Sequence, residues 1–144
     1  MGLFGFAKGL GRKLFGNEEE APEKIQEHIE EDNPGIDHLE VDVVDGVAIL
    51  KGKAESAEAL EKAILMAGNV EGIADVNAEA VEAPEATYEV EYYDIQKGDN
   101  LWKIAQKVYE DGSRHPLLFE ANREVIKDAD LIFPGQRIRI PMDN

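Results

Sequence analysis

The residues best suited to chemistry are Ala67-Gly68-Asn69-Val70-Glu71-Gly72-Ile73. They close a stretch with helical spacing and open one that alternates like a strand. Two glycines and an asparagine in seven residues suit a backbone that visits positive φ. A helix end leaves up to about four carbonyls without intrahelical partners, and the negative end of the helix dipole lies among them. Such a turn can gather several uncharged oxygens, a ligand set for a cation that does not require carboxylates. The same spacing also fits an ordinary glycine-terminated helix, and spacing alone leaves both readings open.

Other reactive centres are sparse. The chain has no cysteine, which removes disulfides, thiolate metal sites and a cysteine nucleophile. Its serines are Ser56 and Ser113 and its one threonine is Thr87; Ser56 is accounted for as a helix N-cap. His28, His38 and His115 are scattered, with no pair at the i, i+4 spacing of a helical zinc site. The Asp-x-Asp-x-Asp-Gly pattern of a calcium loop is missing. Without convergent groups, catalysis is not expected.

Charge narrows the ligand class. The net charge is −16 over 144 residues, unevenly spread. Residues 1–16 carry Lys8, Arg12 and Lys13 and no acid, residues 17–90 carry 21 acids against four lysines, and residues 91–144 carry 10 acids and 8 bases. So acidic a chain is a poor nucleic-acid ligand, because neutralising phosphates needs a basic face. It concentrates cations and repels anionic membranes except at its N-terminus, which argues against membrane contact. No run of about 18 apolar residues offers a transmembrane span. The first basic residues follow Leu3-Phe4-Gly5-Phe6-Ala7 rather than precede it, unlike a secretory signal. A cytoplasmic monomer is the expectation.

Two small α+β domains position these residues. Leu3, Ala7, Leu10 and Leu14 fall at helical spacing, but five of the first sixteen residues are glycine, each costing up to about 1 kcal/mol inside a helix. The segment reads as partly helical and docked on the protein's own body. Residues 1–22 thus form a Gly-rich segment and acidic linker. A helix beginning at Pro22 or Glu23 buries Ile25, His28 and Ile29 and breaks at Asn33-Pro34-Gly35. Two strands around Leu39–Val43 and Val47–Gly52, joined by Asp45-Gly46, read as a hairpin. Ser56 caps a helix with a Leu60, Ala63, Ile64, Ala67 stripe, and Ala74–Val81 alternates as a third strand.

The run Val47-Ala48-Ile49-Leu50-Lys51-Gly52, then a helix, then Val70-Glu71-Gly72-Ile73-Ala74-Asp75-Val76, resembles a BON domain of order αββαβ over residues 23–82. Residues 83–90, with Pro84 among small and acidic residues, read as a linker. Residues 91–144 read as strand, helix, helix, strand. There, Gly98-Asp99-x-Leu101, Ile104-Ala105, Glu120-Ala121-Asn122 and Pro134-Gly135-Gln136-x-Ile138-x-Ile140-Pro141 resemble a LysM domain. That resemblance implies a βααβ fold and a grip on N-acetylglucosamine polymers such as peptidoglycan, with Trp102 and Tyr109 as sugar-stacking candidates or, alternatively, as helix packing.

The full arrangement, with its Met-Gly-Leu-Phe start, acidic linker, BON and LysM domains, resembles the bacterial BON–LysM potassium-binding family. The resemblance implies K+ held by backbone carbonyls of Ala7, Leu10 and Arg12 in the N-terminal segment and of Gly68, Val70 and Ile73 in the BON turn. It implies a cytoplasmic sensor or buffer with ion-linked domain closure. A ring of neutral carbonyls can replace the water of a large monovalent ion, whereas divalent ions are better served by carboxylates. The rival readings are a LysM glycan binder and a stress protein at phospholipid surfaces.

Overall fold

The computed structural model describes residues 3–5, 17, 19–86, 88–128 and 132–142. The chain divides into two units, Met1–Ala86 and Thr87–Asn144. Both are α+β, with element orders that match the sequence reading and one added strand.

In the first unit, helix α1 (Ala21–Glu30) is followed by strands β2 (Ile36–Val44) and β3 (Val47–Ala54), helix α2 (Ala57–Gly68) and strand β4 (Asp75–Glu82). The added strand is β1, Leu3–Gly5. Sheet order is β1-β4-β3-β2. The β2–β3 hairpin turns through Asp45 and Gly46, at φ 50° and 77°, the two positive values a type I′ turn needs to match strand twist. β3 and β4 run parallel with α2 as their crossover. Ala48, Leu50, Val76 and Ala78 on the helix-facing side are fully buried.

The Ser56 side chain accepts a 3.0 Å hydrogen bond from the Ala59 N–H, capping α2. The predicted stripe of α2 is buried, but so is the rest of the helix: every residue from Ala59 to Val70 is buried, Glu61 and Lys62 included. Lys62 reaches Glu58 one turn back, at 3.2 Å. A helix buried all round is held by packing rather than propensity, with about 1.5–3 kcal/mol from each large side chain such as Ile64 or Leu65.

At the N-terminus the expectation is corrected for Leu3–Gly5, which form a strand rather than the start of a helix. β1 pairs antiparallel with β4, Leu3 opposite Asn77 and Gly5 opposite Asp75. Glycine weakens a helix here, while the edge of β4 supplies N–H and C=O groups ready to pair. Leu3–Gly5 dock on the body through backbone pairing.

The second unit comprises β5 (Glu89–Asp94), α3 (Leu101–Tyr109), a 3-10 turn (Gly112–Arg114), α4 (His115–Ala121) and β6 (Arg137–Met142). β5 and β6 pair antiparallel. The Asn100 side chain caps α3 by accepting from the Lys103 N–H at 2.8 Å. Ile95, Leu101, Ile104, Ala105, Leu118, Ile126, Ile138 and Ile140 make its core. Asn122, wholly buried, ties α4 to β6. Its amide donates to the carbonyls of Leu118 and Arg139, at 2.9 Å each, and its oxygen accepts from the Arg139 N–H at 2.8 Å.

Candidate functional site

The end of α2 is fixed by a short chain of backbone bonds. The Asn69 N–H donates to the Leu65 carbonyl at 2.9 Å, keeping the last turn helical. The Ile73 N–H then donates to the Val70 carbonyl at 3.1 Å. Gly72 sits at φ 99°, so Val70-Glu71-Gly72-Ile73 has the bond and the third-position glycine of a type II turn. The Ala74 N–H donates at 2.8 Å to the carbonyl of Gly46, in the hairpin turn. Val70 and Ile73 are fully buried, so their side chains anchor a backbone whose shape the turn sets.

This corrects one detail of the sequence reading. Of Gly68, Asn69 and Gly72, only Gly72 takes a positive φ. Gly68 is the last helical residue, and Asn69 follows at φ −80° and ψ 37°. The helix therefore does not end on a left-handed glycine; the reversal is postponed by four residues to the next turn.

Postponement matters for the carbonyls. Met66, Ala67 and Gly68 lie in the last helical turn, where no later N–H of the helix reaches their oxygens. The Val70 oxygen accepts one bond and has a second lone pair. Gly68, Val70 and Ile73 are thus brought into one tight bend. The nearest acids in sequence, Glu71 and Asp75, are exposed and half-buried. Among the described residues no group of three or more histidine or carboxylate side chains could hold a metal ion. The donor set at this bend is neutral and main-chain, which fits a weakly hydrated monovalent cation better than a divalent one.

Ala7, Leu10 and Arg12 lie outside the described residues. The nearest described part of that segment is β1, whose Gly5 end faces Asp75, two residues beyond Ile73. Sequence reasoning missed β1. The available signal was β4 itself, an alternating strand at a sheet edge that lacked a second partner.

Among the described residues, the buried side-chain N and O atoms all have hydrogen-bond partners. Asp99, whose side chain is 5 % exposed, accepts from the Tyr93 hydroxyl at 2.6 Å and the Gln96 N–H at 2.9 Å, and faces Lys107 at 2.9 Å. Burial pushes its carboxyl up, but the bonds from Tyr93, Lys107 and Gln96 outweigh it and hold Asp99 below its ordinary range. Tyr93 is raised by burial and by the Asp99 bond, and Lys107 by its bonds to Tyr93 and Asp99. This cluster clamps the loop leading into α3. The Tyr109 hydroxyl donates to the Pro141 carbonyl at 2.7 Å and its ring carries the Arg114 guanidinium, so Tyr109 packs. Trp102 remains 52 % exposed, with its ring against Gly112.

Comparison with known proteins gives the same two-part organisation. Residues 17–84 match the BON domain model and residues 93–141 the LysM domain model. The chain is 36 % identical over 148 aligned residues to the potassium binding protein Kbp of Escherichia coli O6:H1 strain CFT073, covering 98 % of this chain and 99 % of Kbp. The chain belongs to the BON–LysM potassium-binding protein family. An uncharacterized protein of Deinococcus radiodurans is 30 % identical over 103 residues, which is 65 % of this chain and 40 % of that protein. As a BON–LysM protein, the chain carries its neutral bend inside the BON unit. Among its described residues no helix is long and apolar enough to cross a membrane.

Proposed function

We propose that this BON–LysM protein binds K+ through main-chain carbonyls of Gly68, Val70 and Ile73 together with those of Ala7, Leu10 and Arg12. It acts as a cytoplasmic sensor or buffer, a binding protein rather than an enzyme, and loading draws its two units together. The observation that carries the reading is the fixed, neutral bend at the end of α2, in a chain similar along nearly its whole length to a protein named for potassium binding. The acid excess of residues 17–90 raises the local cation concentration without selecting among ions.

Isothermal calorimetry with KCl and NaCl tests the reading: saturable heat with KCl alone supports it, and equal responses to the two salts refute it. Scattering in the two salts reads the closure, which predicts a smaller radius of gyration in K+. A second reading, a glycan contact on the LysM unit, draws on the exposed ring of Trp102. Titration with chitooligosaccharide, with Trp102→Ala as control, decides it.

A further inference from the structure

We propose that the side chains of Gln26 and Asp42 hold the free edge of β2 closed, and that without them a second copy of this chain adds its own β2 there. The closure belongs to the BON unit alone and is independent of the ion.

The sheet order β1-β4-β3-β2 leaves two edge strands among the described residues. They are unequal. β1 has three residues, too short to template another chain, whereas β2 has nine. β2 also carries the composition that favours strand addition. Val41, Val43 and Val44 are β-branched, Val44 is 49 % exposed, and no proline or glycine interrupts Ile36–Val44. A long edge of this kind invites pairing unless something blocks it.

Three features block it. Between Asp37 and Glu40 the register against β3 slips by one residue, and His38 takes φ 56°; a bulge bends its strand and turns the edge away from a straight partner. Beyond the bulge, an antiparallel ladder points every second N–H away from the neighbouring strand. Val41 and Val43 are two such residues, and both donors are taken. The Val41 N–H donates to Gln26 Oε1 at 3.2 Å, and the Val43 N–H donates to Asp42 Oδ1 at 2.8 Å. Gln26 comes from α1, which packs against β2, so the helix latches the edge of the strand.

Asp42 has a second effect. Another β2 centred antiparallel on this position would set Val41 against Val43 of the second copy, and Asp42 against its own counterpart. Like charges directly opposite one another are destabilising. The same carboxylate thus occupies a donor and repels the incoming strand.

Sedimentation of the full chain over a dilution series, with amide exchange, tests this. Gln26→Leu/Asp42→Ala removes both acceptors and should form a concentration-dependent dimer in which the Val41 and Val43 amides gain protection. In dilute, monomeric samples the same amides should exchange about tenfold or more faster than in wild type. Gln26→Glu/Asp42→Asn keeps an oxygen acceptor at each position without the Asp42 charge. It should stay monomeric at concentrations where the open-edge variant pairs, which separates capping from charge. An open-edge variant that stays monomeric, an acceptor-keeping variant that dimerises as readily, or wild-type protein that already pairs through β2 would overturn the proposal. Should the open-edge variant misfold, exchange in wild type decides: protected Val41 and Val43 amides support the closure, and amides as fast as in an unstructured peptide overturn it.

Discussion

Four-residue turns closed by the same bond around a glycine at the third position occur in both units of this protein. Val70-Glu71-Gly72-Ile73 in the BON unit, with Gly72 at φ 99°, compares with Phe133-Pro134-Gly135-Gln136 in the LysM unit, with Gly135 at φ 88°; the LysM unit also has Gln96-Lys97-Gly98-Asp99, with Gly98 at φ 87°. Their surroundings differ. The LysM turn is enclosed in a ladder: the Gly135 N–H donates to the Ile95 carbonyl, the Ile95 N–H to the Gln136 carbonyl, and the Gln136 side chain accepts from the Phe133 N–H. The BON turn comes one residue after a helix has ended, so helix-end carbonyls and turn carbonyls accumulate within a few residues. A glycine turn does not by itself make a cation site. A glycine turn directly downstream of a helix C-terminus adds its own carbonyls to those of the helix end.

The largest effect that would sharpen this comparison is on ion binding. Gly72→Val forces a β-branched residue into φ 99°, a strain of about 1–3 kcal/mol, and should weaken K+ binding about tenfold or more by reshaping the bend. Gly135→Val imposes the same kind of strain and should lower the stability of the LysM unit while leaving K+ affinity intact. Equal losses of K+ affinity in both variants, by calorimetry, would break the distinction.

Next in size is Asn122→Leu. It leaves the buried Arg139 N–H without its acceptor and the Leu118 and Arg139 carbonyls without the side-chain donor, at about 1–3 kcal/mol per unsatisfied group. The LysM unit should melt markedly earlier in calorimetric scans, and the BON unit should still bind K+.

A smaller, pH-dependent effect belongs to Asp99. Its folded carboxyl is held low, so its stabilisation is present above the unfolded value of about 4 and is lost as pH falls through the lower folded one. The raised Tyr93 and Lys107 act oppositely: their contribution is full below about pH 10 and fades above it. The stability gap between wild type and Asp99→Asn should therefore be wide near neutrality and shrink below about pH 4. A gap independent of pH would show that the cluster acts through packing alone. The smallest effect expected is from Glu71→Gln, an exposed acid in the bend. K+ affinity should change by less than about twofold, and abolished binding would replace the carbonyl account with a carboxylate one.

What could be read from the sequence follows the same physical divide. Local rules with strong side-chain signatures worked: the Asp45-Gly46 hairpin and the Ser56 cap stand where those residues belong. Backbone-mediated features were harder. β1 depends on the vacant edge of a strand some seventy residues away, which no local periodicity encodes, and in the sequence its leucine joins a helical spacing with Ala7, Leu10 and Leu14. The bend was found as a place, but which of its residues takes the positive φ was not legible, because Gly68 and Gly72 look alike until the turn bond from Ile73 to Val70 separates them. The role of Asn122 was hidden for a related reason: one amide satisfying backbone groups of α4 and β6 leaves no pattern in spacing.

The most direct measurement of the central claim is carbonyl-carbon NMR of the full chain during titration with KCl and, separately, NaCl. The carbonyl account predicts saturable shifts at Gly68, Val70 and Ile73 with K+, weak or absent with Na+, and no matching titration of the Glu71 or Asp75 carboxylates. Carbonyl signals at those three positions that stay still while K+ binds, or shifts that track the carboxylates instead, would contradict it.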